Sequence, residues 1–147
     1  KNLILAQYLQ NELRQNLGIS VVLQPFDNKT FRAQQEQRTY PMFVATWTGD
    51  YPDPDGFLSV YLGGSGNNRS GWRNPKFDAL VLEGRFSQDT RHREKVYQQA
   101  QKIFLEEDAV IVPLYYEPQM ALVKPRVRGL ELNPVAYMLL RKVNIAP

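Results

Sequence analysis

The sequence predicts an α/β layer domain, a small mixed sheet flanked by helices. Three observations predict it. An amphipathic helical stripe over residues 2–17 stops at Gly18 and runs into the β-rich stretch Ile19-Ser20-Val21-Val22-Leu23-Gln24-Pro25. The apolar run Met42-Phe43-Val44-Ala45-Thr46 follows a second helical stretch and reads as a buried strand. Two further helical patterns lead into Val110-Ile111-Val112-Pro113-Leu114-Tyr115-Tyr116, a third strand candidate. Helices alternating with strands make layers of this kind.

In chain order, Leu5, Leu9, Leu13 and Leu17 recur at i+4 and mark one apolar helix face. Gly18 suits the left-handed stop after a helix. Asp27 or Asn28 can cap a second helix, with Phe31 and Ala33 inward, running to about Arg38. The strand at 42–47 leads into Trp47-Thr48-Gly49-Asp50-Tyr51-Pro52-Asp53-Pro54-Asp55-Gly56, whose prolines and glycines exclude helix or central strand. Phe57 to Leu62 suggests a short helical turn, and Gly63 to Asn68 a flexible surface connection. Asn74-Pro75 starts a helix whose inner face is Phe77, Leu80, Val81 and Gly84. Asp89-Thr90 starts another to about Glu107, with Val96, Tyr97, Ala100, Ile103 and Phe104 inward. Met120–Val123 reads as a last strand, and 125–147 shows no clear periodicity.

The chain has 147 residues, 43% hydrophobic and 22% charged, a normal balance for one domain with a core. No run of about 18 apolar residues suggests a membrane span. With no initiator Met and no leader pattern, the expectation is a piece of a longer protein. Cysteine is absent, so thiol nucleophiles, disulfides and Cys-based metal sites are excluded. The net charge is +3, and the late basic residues Lys124, Arg126, Arg128, Arg141 and Lys142 lack the dense, aromatic-laced stripe of a nucleic-acid site.

The chemistry-bearing residues gather in the loop 47–56. His92, the lone histidine, sits in a charged first turn, and neither a GxSxG element nor a metal-ligand set accompanies it. Asp53 and Asp55 fail the EF-hand spacing, because the first and last ligand positions fall on Tyr51 and Leu62. They read as turn and cap formers. Asp50 and Asp53 are the pair a glycosidase would need. Asp50 directly follows the strand and Gly49, beside Trp47 and Tyr51. It can be a local cap, or a carboxylate that receives a ligand ammonium with cation–π support from the aromatic faces. No catalytic set, metal site or cofactor is expected.

These residues resemble the extracytoplasmic solute-binding proteins of peptide-type ABC importers, the oligopeptide, dipeptide and nickel receptor group. The resemblance runs through Gly18-Ile19, Trp47 with Gly49-Asp50-Tyr51 and Asp53-Pro54, and Asn67-Asn68. It continues through Asn74-Pro75 with Asp78 and Leu80, Arg93 with Tyr97, Ala100-Gln101, Val112-Pro113-Leu114-Tyr115-Tyr116 and Leu122-Val123-Lys124-Pro125. It implies one lobe of a two-lobed periplasmic-binding-protein-like fold, spanning 1–147 as a single lobe, with 125–147 returning toward a first lobe.

The resemblance further implies a peptide, or another small solute, held between lobes, with Asp50 receiving its α-ammonium. Trp47, Thr48, Gly49, Tyr51 and Tyr116 are then the other candidate ligand contacts. ABC permease subunits are the implied partners, on the periplasmic or extracellular face of the bacterial membrane. Membrane contact would come only through a lipid anchor or permease docking. Two departures stand out: Val44 occupies a position where some members carry an arginine, and Glu117 one where some carry a third tyrosine. Other readings stay open: the sensor lobe of a transcription regulator, or a receptor for a nickel chelate, haem or sugar.

Overall fold

A computed structural model describes residues 2–133, 135 and 137–146. The chain forms two compact units. The first runs to Trp47 and includes Arg69–Gly71; the second holds Thr48–Asn68 and the chain from Trp72 onward.

In the first unit, helix α1 spans Asn2–Leu17. It ends where Gly18 takes φ +66°, with Gly18 N–H donating to the Arg14 carbonyl and Ile19 N–H to that of Leu13. The leucine stripe is present but only partly covered: Leu5, Leu9 and Leu13 are half-buried and Leu17 is exposed. The Gln10 side chain donates to the Val21 carbonyl at 2.8 Å, tying the following segment to the helix. Helix α2 spans Asn28–Gln37; Asp27 caps it, accepting from Lys29 and Thr30 N–H. Arg38 closes it in the left-handed conformation. The Phe26 ring lies tilted against that of Tyr40, and the Phe31 ring edge-on to that of Phe43.

The second unit holds the buried core. Helix α3, Asp55–Leu58, continues as a 3₁₀ turn over Ser59–Tyr61. Helix α4 spans Pro75–Phe86, capped by Asn74 with proline opening its first turn. Helix α5 spans Thr90–Lys102, capped by Asp89, and runs on as a π-helical turn over Ile103–Glu107. The inward faces read from periodicity are the ones that meet: Leu58, Phe77, Val81, Tyr97, Ala100, Ile103 and Phe104 form one buried cluster. Its centre is aromatic. Trp72 and Phe104 flank Phe77 at ring-centroid distances of 4.9 and 5.6 Å, and Tyr61 lies 4.4 Å from Phe104.

The connection over 63–68 is held, not loose. Asn68 is buried, and its amide nitrogen reaches the carbonyls of Tyr61, Leu62 and Trp72 at 3.1, 3.3 and 2.8 Å. Gly63 N–H donates to the Asp78 carboxylate. One side chain that bonds three carbonyls fixes a turn that composition alone marks as a linker.

The α/β lobe class holds, but the strands lie elsewhere than expected. Residues 19–25, 42–47, 110–116 and 120–123 are not in strands. Within 42–47, Met42 and Phe43 are exposed. A strand exists only where a neighbour accepts from its N–H groups and donates to its C=O groups, and β propensity without such a neighbour leaves extended chain. Among the described residues one ladder forms, between β1 (Val127–Arg128) and β2 (Asn144–Ile145). It is antiparallel, with Val127 opposite Ile145 and Arg128 opposite Asn144. Gly129 makes the return possible: its φ is +76°, and a Cβ there would stand 2.2 Å from the Lys142 carbonyl oxygen. Two-residue strands inside a stretch of weak periodicity leave too short a pattern to read.

Candidate functional site

The loop from Thr48 to Gly56 lies in the second unit and contains the three neighbouring aspartates. The structure assigns them unlike environments, because two arginines on the helices behind the loop reach only two of them.

Asp55 opens α3 and is buried, 5% exposed. Arg85, in the last turn of α4, forks onto it: Nε donates to Oδ1 at 3.0 Å and a terminal nitrogen to Oδ2 at 3.2 Å. The Tyr51 hydroxyl donates to the same carboxylate at 2.5 Å. Bidentate guanidinium pairing adds direction to charge. The Tyr51 phenol is pushed up to about 12, first by this hydrogen bond to Asp55 and then by burial.

Asp53 is gripped from α5. Arg93 donates to Asp53 Oδ1 at 2.6 Å, to the Gly84 carbonyl at 2.9 Å and to the Tyr97 hydroxyl at 3.3 Å, and its guanidinium lies 4.9 Å from the Tyr97 ring centre. Asp53 Oδ1 also accepts from Asp55 N–H at 2.8 Å. The Arg93 hydrogen bond holds the Asp53 carboxyl below the usual carboxylate range, against a smaller opposing effect of burial. Tyr97, its ring buried in the core, is pushed up, chiefly by desolvation. Backbone bonds finish the loop, Asp53 N–H to the Tyr51 carbonyl and Gly56 N–H to that of Asp53. An open depression of about 380 Å³ is lined by Tyr51, Asp53, Asp55, Arg85 and Arg93.

Asp50 stands apart. It is exposed, and its carboxylate has no hydrogen-bond or ion-pair partner among the described residues. Gly49 beside it is buried: a Cβ there would meet the Phe57 ring at 2.8 Å and the Tyr51 carbonyl oxygen at 3.2 Å. Thr48 is exposed and Tyr51 is 44% exposed, its hydroxyl engaged as above. Trp47 belongs to the first unit and keeps 41% of its surface exposed. Tyr116 is 99% exposed, so no described residue covers it, and no packing brings it to the loop.

Asp53 and Asp55 are therefore more than turn formers. Their partners lie 40 and 30 residues away. The visible signal was Arg93 in the ordered pattern with Tyr97; nothing local pointed to Arg85. Asp53 is also a poor general acid, since that role needs a raised pKa and its partner lowers it. His92 is exposed, its ring 2.6 Å from the Glu83 carboxylate.

The ion pair gives a prediction with a definite sign. A carboxylate whose folded pKa is depressed contributes stability that is present above its unfolded value and lost as pH falls through the folded one. The unperturbed value is 3.8. Unfolding followed against pH should thus show stability falling below about pH 4, and Asp53→Asn should flatten that fall. Parallel acid limbs in both proteins would show that the Arg93 pair contributes nothing.

OppA of Haemophilus influenzae in complex with RPPGFSPFR superposes with a TM-score of 0.86 at 28% identity, covering 99% of this chain and 29% of that one. The fold is thus that of a periplasmic-binding-protein lobe. Residues 2–69 match the family model described as bacterial extracellular solute-binding proteins, family 5 Middle. The periplasmic oligopeptide-binding protein OppA of Salmonella typhimurium is 36% identical over 116 residues, 79% of this chain and 21% of its own. A protein of Escherichia coli named "Probable deoxycholate-binding periplasmic protein YgiS" is 30% identical over 93% of this chain and 26% of its own. The chain is thus similar to bacterial extracellular solute-binding proteins of family 5, whose model its residues 2–69 match. It spans about a quarter of the length of the curated relatives it matches.

Proposed function

We propose that this chain supplies part of the ligand site of an extracytoplasmic peptide receptor that feeds an ABC importer, and that Asp50 receives the α-ammonium of the ligand. One observation carries the reading. Of the three aspartates in the loop, Asp53 and Asp55 are matched to arginines, while Asp50 is presented to solvent with its charge uncompensated by any described residue. A carboxylate in that state binds a cation without first breaking a pair, and charge-assisted hydrogen bonds are about twice as strong as neutral ones. Trp47, Thr48, Gly49, Tyr51 and the uncovered Tyr116 are the further ligand contacts. The protein acts by binding, not by catalysis. The ligand is held in an inter-lobe cleft: this lobe supplies one wall, another lobe of the full-length protein supplies the second, and permease subunits are the partners. Val44 cannot pair with a ligand carboxylate as the arginine carried there by some members of the resembled family can.

The oligopeptide-binding relatives support a peptide; the deoxycholate-binding name supports a second reading, a non-peptide solute of the same cleft. Mass spectrometry of small molecules released from the full-length protein separates them. Peptides with free N-termini are the expected cargo. Recovery of a bile acid, haem, metal chelate or sugar with no peptide would overturn the Asp50 role.

A further inference from the structure

The loop bearing Asp50 is braced from behind by two arginine–aspartate pairs, each joining it to a different helix of the core. Arg85 belongs to the last turn of α4, and Arg93 to the first turns of α5. Their targets are two residues apart, and Asp53 Oδ1 is shared between the Arg93 guanidinium and the Asp55 N–H. The brace is rooted in the core through Tyr97, 2% exposed, whose hydroxyl and ring face both meet Arg93. Arg93 also holds the α4 backbone at the Gly84 carbonyl. Tyr51, the residue after Asp50, is bound to Asp55 by its hydroxyl, while its carbonyl accepts from Asp53 N–H. The chain on the C-terminal side of Asp50 is thus pinned by its neighbours' side chains and backbone together.

We propose that Arg93 and Arg85 are positioning residues for ligand recognition: by neutralising Asp53 and Asp55 and pinning Tyr51 through Gly56, they fix Asp50 in one place and leave it the carboxylate to which a ligand ammonium is drawn. The inference rests on the Asp50 reading and deepens it. Two effects combine. Pinning removes the entropy a mobile loop would lose on binding. Pairing also keeps Asp53 and Asp55 from competing for the cation, because each is already satisfied by a guanidinium. Loss of Arg93 releases an acid two residues from Asp55 and three from Asp50, so the ligand meets a diffuse acidic loop in place of one directed carboxylate.

The test is calorimetry on the full-length protein with tetra-alanine and N-acetyl-tetra-alanine. The ratio of the two affinities reads recognition of the ammonium alone. The wild type should favour the free amine by about tenfold or more. Arg93→Gln should shrink that ratio toward one, with the affinity for the acetylated peptide unchanged, and Arg93→Lys should restore part of it. Asp53→Asn keeps the acceptor for Asp55 N–H while removing the ion pair, so it tests the brace with less risk to folding, and it should shrink the ratio likewise. A merely structural role would weaken both peptides equally. A normal ratio in Arg93→Gln and Asp53→Asn overturns the brace and leaves the Asp50 reading intact. A wild-type ratio of one overturns both.

Discussion

Phe77→Ala is expected to destabilise the second unit by about 3–5 kcal/mol. Phe77 is fully buried, 0% exposed, on the inner face of α4. Its ring lies 4.9 Å from that of Trp72 at 67° and 5.6 Å from that of Phe104, so truncation removes transfer energy and two aromatic contacts together. The site cannot collapse easily. Trp72 is held by its indole N–H on Asp108 at 2.9 Å, and Phe104 lies within the π-helical turn Ile103–Glu107, which closes through Asp108 N–H on the Ile103 carbonyl. Urea unfolding of the full-length protein, followed by the near-ultraviolet signal of the aromatic cluster, measures the loss. A change under about 1 kcal/mol would show that the buried cluster does not carry the stability of this unit.

Gly84→Ala is expected to destabilise although it replaces a helix breaker by the best helix former. The propensity gain is about 1 kcal/mol. Against it, a Cβ at position 84 would lie 2.7 and 2.8 Å from the Tyr97 ring atoms Cζ and Cε1. Tyr97 cannot swing away, because it is 2% exposed and Arg93 holds its hydroxyl. Overpacking of this kind costs about 1–3 kcal/mol, so the net loss reaches about 2 kcal/mol. Arg93 should move with the ring, since it also donates to the Gly84 carbonyl. Pairing the substitution with Tyr97→Leu checks the cause: removal of the ring should make Gly84→Ala neutral or stabilising, as non-additivity between touching residues requires. Additive losses would place the cost elsewhere.

The two substitutions bracket what the sequence could reveal. Helix ends were legible because their signals are local: Asp27, Asn74 and Asp89 each cap the helix that follows within three residues. The inner faces of α4 and α5 were legible for the same reason, periodicity over a dozen residues. Strands were not. Val110–Tyr116 has strand composition, yet a strand is a property of two segments, and no described segment pairs with it. The ladder that does form at 127–128 and 144–145 is too short to leave a pattern.

The candidate site divides along the same line. Asp50 could be singled out by its place before the prolines. The brace could not, because Asp53–Arg93 and Asp55–Arg85 are contacts across 40 and 30 residues, and local turn chemistry offers a sufficient but incomplete reason for both aspartates. The same holds for Asn68, whose bonds to the Tyr61, Leu62 and Trp72 carbonyls turn a glycine-rich stretch into a fixed corner.

On the proposed reading, Asp50 carries the charge a ligand ammonium meets. This is tested most directly by titrating tetra-alanine and its N-acetyl derivative into the full-length protein and its Asp50→Asn variant, which keeps the side chain's size and removes its charge. A hydrogen bond to a charged group is worth about 1.5–3 kcal/mol. Asp50→Asn is therefore expected to weaken the free-amine peptide by about tenfold to about a hundredfold and to leave the acetylated peptide unchanged. Equal affinity of the two proteins for the free-amine peptide would contradict this role.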